Sequence, residues 1–197
     1  MPALTVAVDG NTVARVSTEG IDLLSVRISG TRIEEELAHL EISGGSHPTD
    51  GPPTHLIWVN SFLLRHGQVV SVELIETAQS SHAGKTIEEL FPDDDTEPEI
   101  VFKPIAEVFA ELRTRPLQRE DFSFRLESST GTSFVGGTGP SEHGFGFTVL
   151  WNSFHPERAR LSLHSYTLED LEHRGPMNDH VEECMHFGDS VRFELIA

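Results

Sequence analysis

Between His173 and His186 the chain reads HRGPMNDHVEECMH, its densest gathering of side chains able to hold a metal or move a proton. Histidine, thiolate and carboxylate together form the ligand set of zinc and other transition metals. On a helix over 179–185, His180, Glu183 and Cys184 would share one face and supply three ligands. On a strand, His180, Glu182 and Cys184 would share a face instead. Neither spacing is HExxH or a CxxC pair, so the pattern selects no particular metal.

Other stretches lose their chemistry when the spacing is checked. Ala83-Gly84-Lys85-Thr86 has the GKT of a phosphate-binding loop, but the position five residues before Gly84 is Gln79, where that loop needs glycine. The turn reads as the start of a helix. VGGTGPSEHGFGF, residues 135–147, lacks a GxGxxG leading into a helix and runs into an alternating strand, so it reads as a β-loop. No GxSxG elbow for a nucleophilic serine occurs. The eleven histidines, among them His55 and His66 beside HLIWVNSFLL and His143 and His155 beside a Phe-rich strand, each need a partner in space to act in acid–base chemistry. A Cys184 nucleophile would need His180 or His186 in contact. Trp58 and Trp151 are candidate interface anchors, since Trp concentrates at binding hot spots, with a core position as the alternative for each. No residue is assigned a catalytic role.

The net charge of −18 narrows the partners. Residues 1–76 carry 4 basic and 10 acidic side chains, and residues 77–121 and 122–197 carry 5 and 11 each. The charge is therefore spread evenly, about −6 per segment. A field of this sign repels phosphate, which argues against nucleic acid and anionic membrane and favours a basic protein. No apolar run reaches membrane-spanning length. MPALTVAVDG has no basic region and enters a strand pattern directly, unlike a secretory leader. Cys184 is the single cysteine, which excludes an internal disulfide and fits a reducing, cytoplasmic setting.

The elements that would position these residues are mostly strands. LTVAV, TVARVS, LLSVRIS, AHLEIS, HLIWV and VVSVELIE alternate apolar and polar residues, as do FSFRLE and TSFVGG later in the chain. Asp9-Gly10 suits a tight hairpin with positive φ. Displacing the sequence by 121 positions lays Gly20–Glu76 on Ser141–Ala197 without a gap, with 8 of 57 residues identical and the apolar alternation in phase. Five of the eight identities lie in the last strand, where HGQVVSVELIE meets FGDSVRFELIA. Upstream, a three-residue length difference sets Leu4, Val6 and Val8 on Phe122, Phe124 and Leu126. In this frame His180 falls on Val59, and Cys184 falls on Leu63, which marks Cys184 as a core residue. The expectation is a mainly β fold, a sandwich or small barrel, built from two tandem diverged units at 1–76 and 122–197 that pack as a pseudo-two-fold pair.

Residues 77–121 form an acidic helical connector between the units. Thr86-Ile-Glu-Glu89 is a capping box that opens a short helix through Phe91, stopped by Pro92. Asp93, Asp94 and Asp95 follow in an acidic loop and are candidates for contact with a basic partner. Pro104 suits the first turn of a second helix. Ile105, Val108, Phe109 and Leu112 make one apolar stripe there, expected to pack on a sheet.

The closing motif Phe187-Gly188-Asp189-Ser190-Val191-Arg192-Phe193, with the similar HLIWVNSFLLRHGQVVSVELIE, resembles the ends of small acidic β-rich bacterial proteins of immunity-protein character. Gln68 stands where the motif has Asp189. The resemblance implies kinship of fold and no catalytic residue. Charge, size and the absence of a catalytic motif lead to a non-enzymatic bacterial binding protein, an acidic immunity or inhibitor protein that caps a basic partner. The alternative is a metal-binding enzyme or sensor centred on Asp179–His186. No cofactor is expected beyond a transition metal in that alternative.

Overall fold

The computed structural model describes residues 1–76, 79–92 and 102–196. Among these, the first segment holds strands β1 (Pro2–Val8), β2 (Asn11–Ser17), β3 (Leu23–Thr31), β4 (Ala38–Ser46), β5 (Thr54–Leu64) and β6 (Val69–Glu76). Helices α1 (Ile87–Leu90) and α2 (Ile105–Thr114) follow. The last segment holds β7 (Ser123–Ser128), β8 (Ser133–Gly137), β9 (Gly144–Asn152), β10 (Arg158–Tyr166), helix α3 (Leu168–His173), β11 (Asn178–His186) and β12 (Ser190–Ile196). Every strand expected from alternation is present. No described helix is long and apolar enough to cross a membrane. The acidic loop of Asp93, Asp94 and Asp95 lies outside the described residues.

The strands form two six-stranded antiparallel sheets packed face to face, a β-sandwich rather than a barrel. One runs β2-β1-β6-β12-β7-β8 and the other β11-β10-β9-β3-β4-β5. Both orders are unchanged when each strand is exchanged for the one six places away, so residues 2–76 and 123–196 each give three strands to each sheet. One continuous core joins them: Leu4, Leu24, Val26 and Val72 from the first segment meet Phe124, Phe145, Phe147 and Phe193 from the second. The alternation seen in the sequence is the physical cause, because each strand buries every second side chain against the opposite sheet and leaves the other face wet.

Pairing corrects the alignment in two places. β1 sets Leu4 opposite Leu74 and Val6 opposite Val72, while β7 sets Phe124 opposite Leu195 and Leu126 opposite Phe193. Leu4 therefore corresponds to Phe124 and Val6 to Leu126, so the length difference upstream is one residue and not three. β5 carries the second departure. Leu40 pairs with Phe62 and Ile42 with Val59, leaving two residues of β5 opposite the single Glu41. In β10 and β11 the matching interval holds one residue on each side, Ser162 and Glu182. The gapless register thus fails over 56–59, and His180 corresponds to Trp58 instead of Val59, because Leu163 pairs with Val181.

Turns obey the expected chemistry. Asp9 and Gly10 take φ of 51° and 78°, the paired positive values that a two-residue hairpin needs. Gly67 and Gly188 take φ of 78° and 86° at equivalent turns into β6 and β12, with no atom near a would-be Cβ, so their role is conformational freedom alone. Gln68 accepts from the Arg65 N–H at 3.0 Å, and Asp189 accepts from the His186 N–H at 2.7 Å. The two residues that differ in the closing motif perform the same backbone capping.

The helices depart more from expectation. The Thr86 capping box forms, and α1 lies against β5. α2 buries no side chain fully and lies against α3 instead of a sheet, tied by an Arg113–Glu172 ion pair. Phe109 and Leu112 are half-buried, while Ile105 is 59% exposed. The stripe meets α3 and leaves Ile105 and Val108 exposed. α3 was not anticipated, although Thr167-Leu-Glu-Asp170 forms a second capping box. The corresponding stretch of the first segment contains Pro48, Pro52 and Pro53 and forms no helix.

Candidate functional site

Of the places that gather polar side chains or open space, three bear on function, and two of them hold residues singled out from the sequence. The first is β11. It is a strand, so the helical face of His180, Glu183 and Cys184 does not exist. The strand face fails too. Pairing shifts between Leu163 and His164, leaving His180 as an extra residue. The bulge turns His180 inward beside Val181, where its ring lies 5.6 Å from Phe124 and 5.1 Å from Phe134. Glu183, opposite the buried Leu161, also faces inward, and its carboxylate accepts from the Thr130 and Thr132 hydroxyls at 3.1 and 2.6 Å. Cys184 is exposed on the other face, and the matching Leu63 is exposed as well, so the core position expected for Cys184 from the alignment is not found. Among the described residues no group of three or more His, Cys, Asp and Glu is placed to hold a metal.

His180 belongs to a buried polar network. Its Nε2 lies 2.8 Å from the Ser165 hydroxyl, and Ser165 is fully buried. Asn178 donates to the Glu142 carboxylate at 2.9 Å, and the Gly139 N–H donates to the same group. Burial pushes the Glu142 carboxyl up, but hydrogen bonds from Ser165, Gly139 and Asn178, with His180 nearby, hold it below its ordinary value. Ser165 Oγ thus sits between the His180 ring nitrogen and the Glu142 carboxylate, and the three side chains belong to one network. Ser165 has no access to solvent. The network ties the loop before β9 to β10 and β11, and it is not a nucleophile site.

The second place is an apolar cleft of about 950 Å³ between the outer edges of the two sheets, β2 and β5. Residues 79–85 cross it as a strap. Ser81 N–H donates to Arg15 C=O at 2.8 Å, Ser80 Oγ accepts from Ser17 N–H at 2.9 Å, and Lys85 exchanges both backbone bonds with Ile57 at 2.8 and 2.9 Å. His82 Nε2 lies 3.1 Å from the Trp58 carbonyl. Ile21, Leu56, Trp58 and Ala83 form the apolar lining, with Glu19 at the rim. Trp58 is partly buried against the core and open to the cleft. Trp151, the other anchor candidate, is a core residue: it is 3% exposed and its Nε1–H donates to the Pro156 carbonyl at 3.1 Å.

The third place was not legible in the sequence. It is a polar cleft of about 310 Å³ on the outer face of the β3–β4–β5 sheet, lined by Arg27, Glu34, His39, Glu41, Ser61 and Tyr166, among others. His39 Nδ1 lies 2.7 Å from the Ser61 hydroxyl. Ser61 takes φ of 55°, in the left-handed region that serine seldom enters. It is part of the two-residue bulge that β11 lacks. Burial holds the Tyr166 hydroxyl above its ordinary pKa, so it stays a protonated donor. No family model matches the chain, and no curated protein or solved structure matches it either.

Proposed function

We propose that the chain is a binding protein whose β2–β5 cleft takes an apolar side chain from a basic protein partner. The observation that carries the reading is Trp58, a large aromatic set at the base of an open apolar cleft of about 950 Å³. Fully sheltered aromatic anchors dominate binding energy, and a pocket of this size is suited to them. The charge of −18 supplies the second half of the reading, because it draws in lysine- and arginine-rich segments and repels nucleic acid. Glu19 at the rim places one acidic group beside the pocket. An immunity or inhibitor role is the form of binding that this charge serves best, in a cytoplasmic setting. The strand order, unchanged on exchange of the two segments, supports an origin by diverged tandem duplication. A metal-dependent enzyme or sensor at Asp179–His186 draws no support from a bulge that turns His180 and Cys184 to opposite faces.

The test is calorimetric titration of a lysine-rich peptide with one central leucine into the protein at low and high salt, with tryptophan emission recorded for the parent. Binding that shifts the emission, weakens with salt and is lost in Trp58→Ala supports the reading. Salt-sensitive binding unchanged in Trp58→Ala would leave charge alone at work and reject the cleft.

A further inference from the structure

We infer that Ser61 and His39 form a nucleophile–base pair for acyl transfer from small carboxylic esters, at the polar cleft on the outer sheet face. This site is separate from the Trp58 cleft and stands on its own geometry. Three observations meet there. The Ser61 hydroxyl lies 2.7 Å from His39 Nδ1, within reach for proton transfer. The Ser61 backbone is held at φ 55°, a conformation that costs free energy in a non-glycine residue and recurs where a side chain must be presented to a substrate. The same cleft is lined by Arg27 and Tyr166, both hydrogen-bond donors. Among the described residues Arg27 makes no ion pair, although the chain carries 32 acidic side chains.

The comparison between the two segments sharpens this. Leu40 and Ile42 on β4 enclose one residue, while their partners Phe62 and Val59 on β5 enclose two. Leu161 and Leu163 on β10 enclose one, and so do Glu183 and Val181 on β11. Within an otherwise matched pair of strands, the inserted residue region of β5 carries the strained serine, and Arg160 stands where the first segment has His39. A strand pair closes without the insertion, so folding does not require it.

The step balances without a co-reactant other than water. Ser61 Oγ attacks the ester carbonyl carbon and its proton passes to His39 Nδ1. The developing oxyanion finds donors in Arg27 and the Tyr166 hydroxyl. The carbon–oxygen bond to the alcohol breaks, the alcohol leaves with the proton from His39, and an acyl-serine remains. Water then attacks that ester, losing a proton to His39; the carbon–Oγ bond breaks, His39 returns the proton to Ser61 Oγ, and the acid leaves.

A fluorophosphonate reports the first step directly, since its P–F bond breaks as the serine–phosphorus bond forms. The intact protein is incubated with the probe, and labelling is followed by mass, with the site mapped by peptide. Single labelling at Ser61 is expected, absent in Ser61→Ala and slowed about 100-fold or more in His39→Gln, the usual contribution of a general base. Ser61→Gly relieves the positive φ, so its thermal midpoint should equal or exceed that of the parent while labelling is lost. Label on another residue, or Ser61 labelled at the same rate in His39→Gln, would overturn the assignment. So would a folded parent that takes no label.

Discussion

Arg27 stands directly opposite Thr148 across β3 and β9, and these are also the two residues that a 121-residue displacement superposes. In the other sheet the same holds for Ser71 and Arg192 across β6 and β12. The two pairs mark where the pseudo-two-fold axis pierces each layer. Both lie at the middle of their sheets, so the two segments share one core and neither segment owns a separate one.

The halves fill that core unequally, and this gives the first prediction. Phe193 is 1% exposed and its ring lies 4.9 Å from Phe147, 5.8 Å from Phe145 and 6.1 Å from Phe124. Its counterpart is the smaller Val72. Phe193→Ala should cost about 3–5 kcal/mol in urea unfolding, through lost transfer energy and the cavity left behind. Val72→Ala should cost less. Val72→Phe should also destabilise, by about 1–3 kcal/mol, because the second segment has already used the space.

Acid should weaken the fold in two stages. Burial holds His164 below its ordinary pKa of 6.5, and burial with Arg32 nearby does the same to His143. Below that value the unfolded chain binds protons that these folded histidines refuse, so stability is full above about pH 6.5 and falls as the pH drops through it. Glu142 is depressed below 4.5, so its contribution is present above that value and is lost as pH falls through the folded pKa. Urea midpoints at a series of pH values should show both stages. His164→Gln should shrink the upper one and Glu142→Gln the lower. A midpoint unchanged between about pH 7.5 and 5.5 would contradict the histidine part.

Gly84→Ala tests the strap over the cleft. A Cβ at Gly84 would lie 2.9 Å from two atoms, one in the Trp58 ring and one in Leu56. The strap must lift or Trp58 must turn. Overpacking of this kind costs about 1–3 kcal/mol, and the tryptophan emission should move with it. Peptide binding at the cleft should fall in the same variant, while labelling of Ser61 on the outer sheet face should be unaffected.

Strand existence was legible in the sequence because burial of one sheet face imposes a period of two on LTVAV, LLSVRIS and their fellows. The pairing of the two segments was legible for the same reason in β3, β4 and β6. Positions where the period breaks were not. The bulge at His180 shifts by one residue which side chains face inward, and it dispersed the expected metal ligands. The inserted residue near Ser61 hid within a gapless alignment. His39 and Ser61 are 22 residues apart and meet only through the pairing of β4 with β5. The α2 stripe has the right period for packing, but period alone does not name the surface it meets, and the structure sets it against α3.

Arg32 provides the last test. It is 7% exposed and has no carboxylate partner within ion-pair distance among the described residues. Its guanidinium instead donates to the carbonyls of Pro140 and Glu142, both at 2.9 Å, and of Arg119 at 3.2 Å. Arg119 returns the tie, donating to the Thr31 and Glu35 carbonyls at 2.7 and 2.8 Å. The two arginines staple the chain entering β7 to the β3–β4 turn and to the loop before β9. Arg32→Met should orphan those carbonyls at about 1–3 kcal/mol each where water cannot reach them. Arg32→Lys should fail almost as badly, since a single ammonium cannot span three acceptors set for a planar fork. The loss should be nearly independent of salt, because carbonyl dipoles, not an exposed ion pair, hold the charge. Arg113→Ala, which breaks the more exposed bridge to Glu172, should cost under about 1 kcal/mol and vary with salt. Urea unfolding of the two variants at low and high salt separates these cases. An Arg32 effect that disappears in high salt would show that charge attraction, and not the carbonyl staple, holds the joint.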